Sequence, residues 1–191
     1  MPPSLTPASP SPPCDPSWEL SGKDALNKLL GKSVYTSNDQ LGGVQVMHPN
    51  GVSHLMARTD DEAACQILQW LSYVPKARGE ALPIYPMGHS DVVERPVAYM
   101  PPQGESYDPR LLLTGEKTAS GFKPGLFDNG SFMETLAGWA KGVVCGRGRL
   151  GGIPMGAVIV ETRVTEKVSP ADPGSPDSSQ HVTQQAGQVC Y

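Results

Sequence analysis

The stretch from Ala140 to Glu161, AKGVVCGRGRLGGIPMGAVIVE, constrains the fold more than any other part of this sequence. Its centre, Gly146 to Gly152, contains four glycines, two arginines and one leucine, a composition that disfavours helix and suits a tight turn. The apolar run that follows, Met155 to Val160, predicts a strand that is buried on both faces. The segment therefore predicts a β-hairpin over Gly148 to Pro154 that leads into a core strand.

Composition limits how much of the chain can be ordered. The 191 residues include 20 prolines and 21 glycines, so a large share of the chain is expected to be loop or disorder. Residues 1–22 form a Pro/Ser-rich segment with too little apolar surface to fold, which predicts a disordered tail. The 38% of hydrophobic residues still support a globular core in the remainder.

Charge and hydropathy argue against two classes of partner. The net charge of -4 provides no broad positive surface for nucleic acid or anionic lipid, and no apolar run approaches the 18 residues of a membrane span. We therefore expect no nucleic-acid partner and no membrane partner.

The cysteines bear on metal binding and on the compartment. Four cysteines, Cys14, Cys65, Cys145 and Cys190, form no C-x-x-C pair and stand at no zinc-site spacing from the histidines, which predicts no metal site. Unpaired cysteines suit a reducing compartment, so we expect a cytoplasmic protein, with a plastid as the alternative.

The first half of the chain predicts helices and strands in alternation. Asp24–Leu30 has the pattern of a short amphipathic helix that ends at Gly31. Strand character is predicted within Val34–Met47 and again over Gly51–Ala57.

A longer helix is predicted from a capping box. Thr59 and Glu62 have the T-x-x-E pattern of a helix N-terminus, and Pro75 ends the helix. An apolar stripe at three- and four-residue spacing predicts the face that packs in the core: Ala63, Ala64, Ile67, Leu68 and Leu71.

Less regular structure is expected further along. Lys76–Gln103 is rich in proline and glycine and predicts a surface linker, followed by a short helix within Tyr107–Gly115. A second capping box, Ser131 with Glu134, predicts a helix that continues to Trp139.

No familiar catalytic motif is present. The sequence has no G-x-S-x-G, no H-E-x-x-H and no phosphate-binding glycine motif at a strand-to-helix junction. We therefore name no catalytic side chain. Enzymes that stabilise an oxyanion with backbone N–H groups leave glycines rather than acid-base pairs in the sequence, so the pattern does not separate such an enzyme from a non-enzyme.

Eight separated segments resemble one family. The chain is similar to the carboxyltransferase domain of eukaryotic multifunctional acetyl-CoA carboxylase over residues 24–189, in matching order and spacing. The segments are ALNKLLG (25–31), VYTSNDQLGG (34–43), NGVSHL (50–55), WLSYVP (70–75), GWAKGVV (138–144), GRLGGIP (148–154), PADP (170–173) and QQAGQV (184–189).

The resemblance implies an α/β fold of the crotonase-like class, built from repeated β-β-α units and incomplete in this chain. It places 23–139 in the later part of the N-terminal lobe with the interlobe connection, and 140–191 at the start of the C-terminal lobe. It also implies a homodimer in the intact enzyme, with two chains building each site.

The implied reaction is the transfer of a carboxyl group from carboxybiotin to acetyl-CoA, which makes malonyl-CoA for fatty acid biosynthesis. Carboxybiotin, on its biotin carboxyl carrier, and acetyl-CoA would be substrates, and no cofactor would be bound directly. Gly42 and Gly43 match the family's LGG turn near the substrate cleft and are the substrate-binding candidates. The other interpretation is a turn that needs glycine geometry.

Three hypotheses follow. The first is a fragment of the carboxyltransferase domain that is inactive alone, because family segments that meet the acyl-CoA and the carboxyl group lie outside these 191 residues. The second is a non-catalytic interaction or regulatory protein that pairs with full-length carboxylase subunits. The third, suggested by the Arg-Gly repeats, is an RNA binder.

Overall fold

The computed structural model describes residues 22–85, 91 and 94–185. The predicted tail over 1–22 therefore lies, except for Gly22, outside the described residues, as do Cys14 and Cys190. Within the described part, no helix is long and apolar enough to cross a membrane.

The first helix forms where the sequence predicts it. Helix α1 spans Lys23–Leu30, and Gly31 ends it with a left-handed backbone at φ 71°. Glycine adopts this conformation without a steric penalty, which explains why the helix stops there.

The strand predicted within 34–47 is wrong. Two short helices form instead, α2 over Asp39–Gly42 and α3 over Val44–Met47. The side chain of Asn27 bonds the backbone of Tyr35 at both its N–H and its carbonyl. These contacts satisfy the extended backbone before α2, so it needs no neighbouring strand.

The strand predicted over 51–57 is also wrong. The segment begins with a turn and a bend, and its backbone makes isolated hydrogen bonds rather than a ladder. The N–H of Ser53 donates to the carbonyl of Met47 at 2.9 Å, and the N–H of Leu136 donates to the carbonyl of His54 at 2.9 Å.

The predicted capping box is confirmed at the start of α4, which spans Asp60–Ser72. The hydroxyl of Thr59 accepts from the N–H of Glu62 at 3.2 Å, while the Glu62 carboxylate accepts from the N–H of Arg58 at 2.9 Å. The interpretation of the apolar stripe as core is wrong in this chain, because Leu68 is 67% exposed and Ile67 and Leu71 are exposed as well.

The central sheet has three antiparallel strands in the order β3-β4-β5. Strand β3 is Met133–Thr135, β4 is Val143–Leu150 and β5 is Ile153–Val160. The two-residue turn Gly151–Gly152 has φ values of 59° and 80°, as a hairpin turn with two left-handed residues requires. The predicted hairpin and its strand are confirmed.

The helix predicted over 131–139 is wrong, since β3 lies there. The Ser131 hydroxyl accepts from the N–H of Arg149 at 3.0 Å, and the Glu134 carboxylate binds Arg110. Both residues of the supposed capping box are thus used in contacts distant in sequence. The positive φ values of Leu136 and Ala140 are also incompatible with a right-handed helix through these residues.

The core lies against one face of β4. Val144 is fully buried there, and Gly146 and Gly148 let the rings of Phe132 and Phe127 approach the strand closely. The two rings stack with their centroids 5.9 Å apart. Glycine is required at both positions, because a Cβ would lie about 2.6 Å from a ring carbon.

Strand β5 differs from its prediction in burial. It pairs with β4 along its whole length, but Val158 is 78% exposed and Met155 and Val160 are exposed. The prediction that 155–160 is buried on both faces is therefore wrong, because β4 is the only described element with which β5 makes extensive contact.

The remaining elements are small. Helix α5, Pro109–Thr114, confirms the short helix predicted in that region and carries the buried Leu113. Two separate hairpins complete the described structure, with strands at Glu116–Thr118 (β1), Gly121–Lys123 (β2), Thr165–Ser169 (β6) and His181–Gln185 (β7).

Candidate functional site

The two glycines proposed from the sequence lie at the junction of α2 and α3. Gly42 ends α2, Gly43 is extended between the two helices, and both are buried. Their N–H groups donate to the carbonyls of Asn38 and Asp39, each at 2.9 Å. Both amides are therefore engaged within the chain and are not free to donate hydrogen bonds to a substrate.

Gly43 also has a local structural role. A Cβ at this position would overlap the carbonyl oxygen of Asp39. The carbonyl of Gly43 accepts from the N–H groups of Val46 and Met47. The geometry explains why glycine stands at this turn, and it leaves a substrate-facing role for Gly42 and Gly43 as a prediction.

A cleft of about 380 Å³ opens beside this junction. It lies between the α2–α3 segment and the end of β6, and its polar lining includes Gln40, Gln45, Asn50 and Lys167. At its rim the hydroxyl of Tyr35 donates to Asp172 at 3.0 Å. This hydrogen bond to a carboxylate raises the pKa of Tyr35, because it favours the protonated phenol.

A network of charged side chains joins α5, β3 and the end of β5. Glu161 is only 1% exposed and accepts from Arg110 at 3.0 Å and from Arg163 at 3.0 Å. Arg110 also forms a two-pronged pair with Glu134 at 2.5 and 2.6 Å. Asp108 contacts both arginines. The network holds three segments together that are far apart in sequence.

Burial and hydrogen bonding shift the pKa values of side chains in this network. Burial alone would raise the pKa of Glu161, but hydrogen bonds from the side chain and backbone of Arg163 and from Arg110 outweigh it, so the pKa lies below its ordinary value. The pKa of Arg110 is raised, chiefly by its hydrogen bond to Glu134. The pKa of Arg163 is also raised, chiefly by its hydrogen bond to Glu161, so Glu161 and both arginines are charged at neutral pH.

A second network fixes the β4–β5 turn. Asp128 accepts from the N–H groups of Gly151 at 3.0 Å and Gly152 at 2.7 Å, and it also pairs with Arg95. The guanidinium of Arg149 is buried and donates to three carbonyls, those of Ser72, Pro83 and Gly152. The turn is thus bound from both sides.

These two networks were not predicted from the sequence. Arg110, Glu134 and Glu161 are separated by more than twenty residues at each step, and no local pattern announces such contacts. Asp128 likewise stands 23 and 24 residues before the two glycines that it binds, so it gave no local signal either. Within the described residues, no three His, Cys, Asp or Glu side chains are grouped so that they could share a metal ion.

Comparison with known proteins decides the family. The family model described as "Carboxyl transferase domain" matches residues 18–191. The chain belongs to the carboxyl transferase domain family. It is 53% identical to the acetyl-CoA carboxylase of Saccharomyces cerevisiae and 53% identical to that of Schizosaccharomyces pombe, each over 172 residues. The acetyl-CoA carboxylase of Dictyostelium discoideum is 49% identical over 177 residues.

These alignments cover 90% of the chain but little of each relative. The chain spans 8% of the length of the S. cerevisiae and Dictyostelium proteins and 7% of the S. pombe protein. The match is therefore to one part of a much longer protein.

A solved structure supports the fold. Transcarboxylase 12S, solved with methylmalonyl-coenzyme A and methylmalonic acid bound, superposes with a TM-score of 0.53 at 23% identity, covering 72% of this chain and 25% of that one. The predicted crotonase-like α/β class is confirmed by this likeness, which concerns the fold alone.

Proposed function

We propose that this chain supplies part of a carboxyltransferase site that moves the carboxyl group of carboxybiotin to acetyl-CoA and produces malonyl-CoA for fatty acid biosynthesis. The observation that carries the proposal is the 53% identity to the S. cerevisiae acetyl-CoA carboxylase over 172 residues. Because the chain covers 8% of that protein, the reaction belongs to a larger assembly to which this chain contributes.

In this reaction the acetyl thioester passes through an enolate, whose oxygen carries developing negative charge. Backbone N–H groups are suited to stabilise it, since they need no proton transfer of their own. The N–H groups of Gly42 and Gly43 are already used by Asn38 and Asp39. These two glycines would contribute to the site through the tight α2–α3 turn that they form beside the cleft, rather than through hydrogen bonds from their own N–H groups.

The partners follow from the same proposal. Acetyl-CoA and a biotin carboxyl carrier would meet the assembled site, within a homodimer, and no cofactor would be bound by this chain directly. The 380 Å³ cleft beside the α2–α3 junction offers space that could hold part of a substrate. A cytoplasmic location remains a prediction.

A graft tests the proposal. The matching 172 residues of the S. cerevisiae enzyme would be replaced by those of this chain, and conversion of malonyl-CoA and biocytin to acetyl-CoA and carboxybiocytin would be measured. We expect the graft to remain active within about tenfold and the isolated chain to show no turnover. A folded but inactive graft would contradict the proposed site, and turnover by the isolated chain would contradict its dependence on the larger assembly.

The same graft tests the glycines. Gly42→Ala should lower kcat/KM by at least about tenfold, while Gly142→Ala is the matched control, because a Cβ at Gly142 meets no atom within 4 Å. Equal activity of both variants would show that Gly42 does not face the substrate.

A second candidate is a non-catalytic protein that pairs with carboxylase subunits. It is favoured by exposed apolar side chains on α4 and β5, among them Leu68 and Val158, which suit contact with further polypeptide. Lowered activity of the full-length enzyme when the chain is added would support this role, and an unchanged rate would argue against it.

A further inference from the structure

Two serines of the described structure stand directly before a proline, in Ser169–Pro170 and in Ser175–Pro176, and no described threonine does. The two copies of this dipeptide have different surroundings. Ser169 is the last residue of β6, is half-buried and pairs with His181 on β7. Ser175 and Pro176 are both exposed in the loop that joins these two strands. The chain therefore presents one strand-bound copy and one surface copy of the same motif.

The side chain of Ser175 is not used by the fold. Its hydroxyl makes no hydrogen bond with any described residue, while its N–H donates to the carbonyl of Asp172 at 3.1 Å and its carbonyl accepts from the N–H of Ser178 at 3.0 Å. The hydroxyl of Ser178, in contrast, accepts from the N–H of Asp172 at 2.8 Å. Ser175 thus carries an unengaged hydroxyl on an exposed loop.

The loop 170–180 can open without disturbing the sheet. Among the described residues, its hydrogen bonds join positions at most six apart, except that the hydroxyl of Tyr35 donates to Asp172 at 3.0 Å. Segments held by few and local contacts open at a lower free-energy cost than paired strands. The loop can therefore enter the active site of a modifying enzyme in extended form, whereas Ser169 can do so only when β6 leaves β7.

We propose that Ser175 is a phosphorylation site for a proline-directed protein kinase. Proline has no backbone N–H and a fixed φ, so an enzyme that reads it needs a pocket for the ring and no acceptor for an amide hydrogen. The Ser175 oxygen attacks the γ-phosphorus of ATP, the bond from that phosphorus to the bridging oxygen breaks, and ADP leaves with the electron pair. The hydroxyl proton passes to the catalytic aspartate of the kinase. This site does not depend on the proposed carboxyl transfer.

A phosphate on Ser175 acts at the rim of the cleft. It adds about 1.5 to 2 negative charges at pH 7, three positions after Asp172. The carboxylate of Asp172 accepts from the hydroxyl of Tyr35 and from the N–H of Gly174, and both Tyr35 and Asp172 line the cleft. Repulsion between the phosphate and this carboxylate weakens the one hydrogen bond that ties the loop to Tyr35. Phosphorylation therefore loosens the loop at the cleft.

Site-resolved mass spectrometry of the whole chain tests the proposal. The chain would be incubated with ATP, Mg²⁺ and a purified mitogen-activated protein kinase, with a kinase that requires a preceding arginine as a separate arm. We expect the first enzyme to phosphorylate Ser175 at least about tenfold faster than Ser169. The second should not modify Ser175, because none of the ten residues before it is arginine. Peptide mapping separates this loop from the three Ser/Thr-Pro pairs within residues 6–12.

A synthetic peptide of residues 164–181 supplies the unfolded reference. It contains both serines but lacks the strand that pairs with β6. We expect the mitogen-activated kinase to modify Ser169 and Ser175 of the peptide within about threefold of each other, because the fold no longer distinguishes them.

Three variants of the whole chain locate the site. Ser175→Ala should remove the phosphate from the peptide that carries the loop. Pro176→Ala keeps the hydroxyl without the proline ring and should slow modification of Ser175 at least about tenfold. Ser169→Ala removes the other described Ser-Pro pair; it is the matched control and should leave the rate at Ser175 within about twofold of the unmodified chain.

Other results would overturn the proposal or one of its parts. No phosphate on Ser175 of the whole chain, whether or not the peptide reacts, would exclude the site. Equal rates at Ser169 and Ser175 in the whole chain would contradict the selection by the fold, and an unchanged rate in Pro176→Ala would contradict a proline-directed enzyme. We expect phosphorylation to speed hydrogen exchange over 170–180, and equal exchange before and after would contradict the loosening of the loop.

Discussion

Removing the charge of Glu161 should destabilise the whole described fold. The carboxylate is 1% exposed and accepts from the side chains of Arg110 and Arg163 and from the N–H of Arg163. Glu161→Gln keeps the shape but turns one acceptor into a donor that faces a guanidinium. Breaking one partner of a buried ion pair typically costs about 3–5 kcal/mol, because the other charge stays buried.

The expected cost here is smaller, because both arginines retain other partners. Arg110 keeps Glu134, Arg163 keeps Asp108, and the 43% exposure of the Arg163 side chain screens its part of the pair. We therefore expect a loss of about 2–3 kcal/mol in the free energy of unfolding. With a urea slope of about 2 kcal/mol per molar, the midpoint should fall by roughly 1–1.5 M.

Urea unfolding followed by tryptophan fluorescence at pH 7 measures this loss. Glu166→Gln is the matched control, since Glu166 is exposed and its substitution should change stability by about 0.5 kcal/mol or less. Equal midpoints for Glu161→Gln and Glu166→Gln would refute the assignment of stability to the buried network.

The stability that Glu161 contributes should depend on pH. Its folded-state pKa is lowered, so its stabilising contribution is complete above the ordinary pKa of about 4.3 and is lost as the pH falls through the lowered value. The stability difference between the unmodified chain and Glu161→Gln should therefore shrink as the pH falls below about 4.3. A difference that stays constant down to pH 3 would contradict the lowered pKa.

Two further substitutions test local geometry. Gly152→Ala should lower the free energy of unfolding by more than about 1 kcal/mol, because φ is 80° there and the new Cβ would overlap the carbonyl of Tyr85. Gly156→Ala, in the same hairpin, is the control and should be nearly neutral, because a Cβ there meets no atom within 4 Å. Equal thermal midpoints for the two variants would contradict this reasoning. Thr59→Ala should cost about 1 kcal/mol by removing the oxygen that accepts from Glu62, and Thr59→Ser should restore it in the same melting experiment.

Features set by neighbouring residues could be predicted from the sequence. Gly31 ends α1, Thr59 begins α4, and the Gly151–Gly152 turn forms the hairpin, because in each case residues a few positions apart satisfy the backbone. These predictions needed no knowledge of distant parts of the chain.

The errors arose where distant partners outweighed local preference. Ser131 and Glu134 have the spacing of a capping box, yet Ser131 accepts from Arg149 and Glu134 binds Arg110. Burial was misjudged on β5 because its composition resembles a core strand, while among the described elements only β4 makes extensive contact with it. The resemblance to a family supplied Gly42 and Gly43, whereas the ion network around Glu161 had no signal in the sequence.

The pairing of β3 with β4 affects how the protein can be divided for expression. The predicted lobe division at 139/140 separates Met133–Thr135 from the strand that binds it. A piece that begins at residue 140 would keep the β4–β5 hairpin but expose the other edge of β4, which invites pairing between copies. It would also lack Arg110, a principal partner of Glu161. A soluble C-terminal piece therefore has to begin before Asp108, so that α5, β3 and the hairpin are made together.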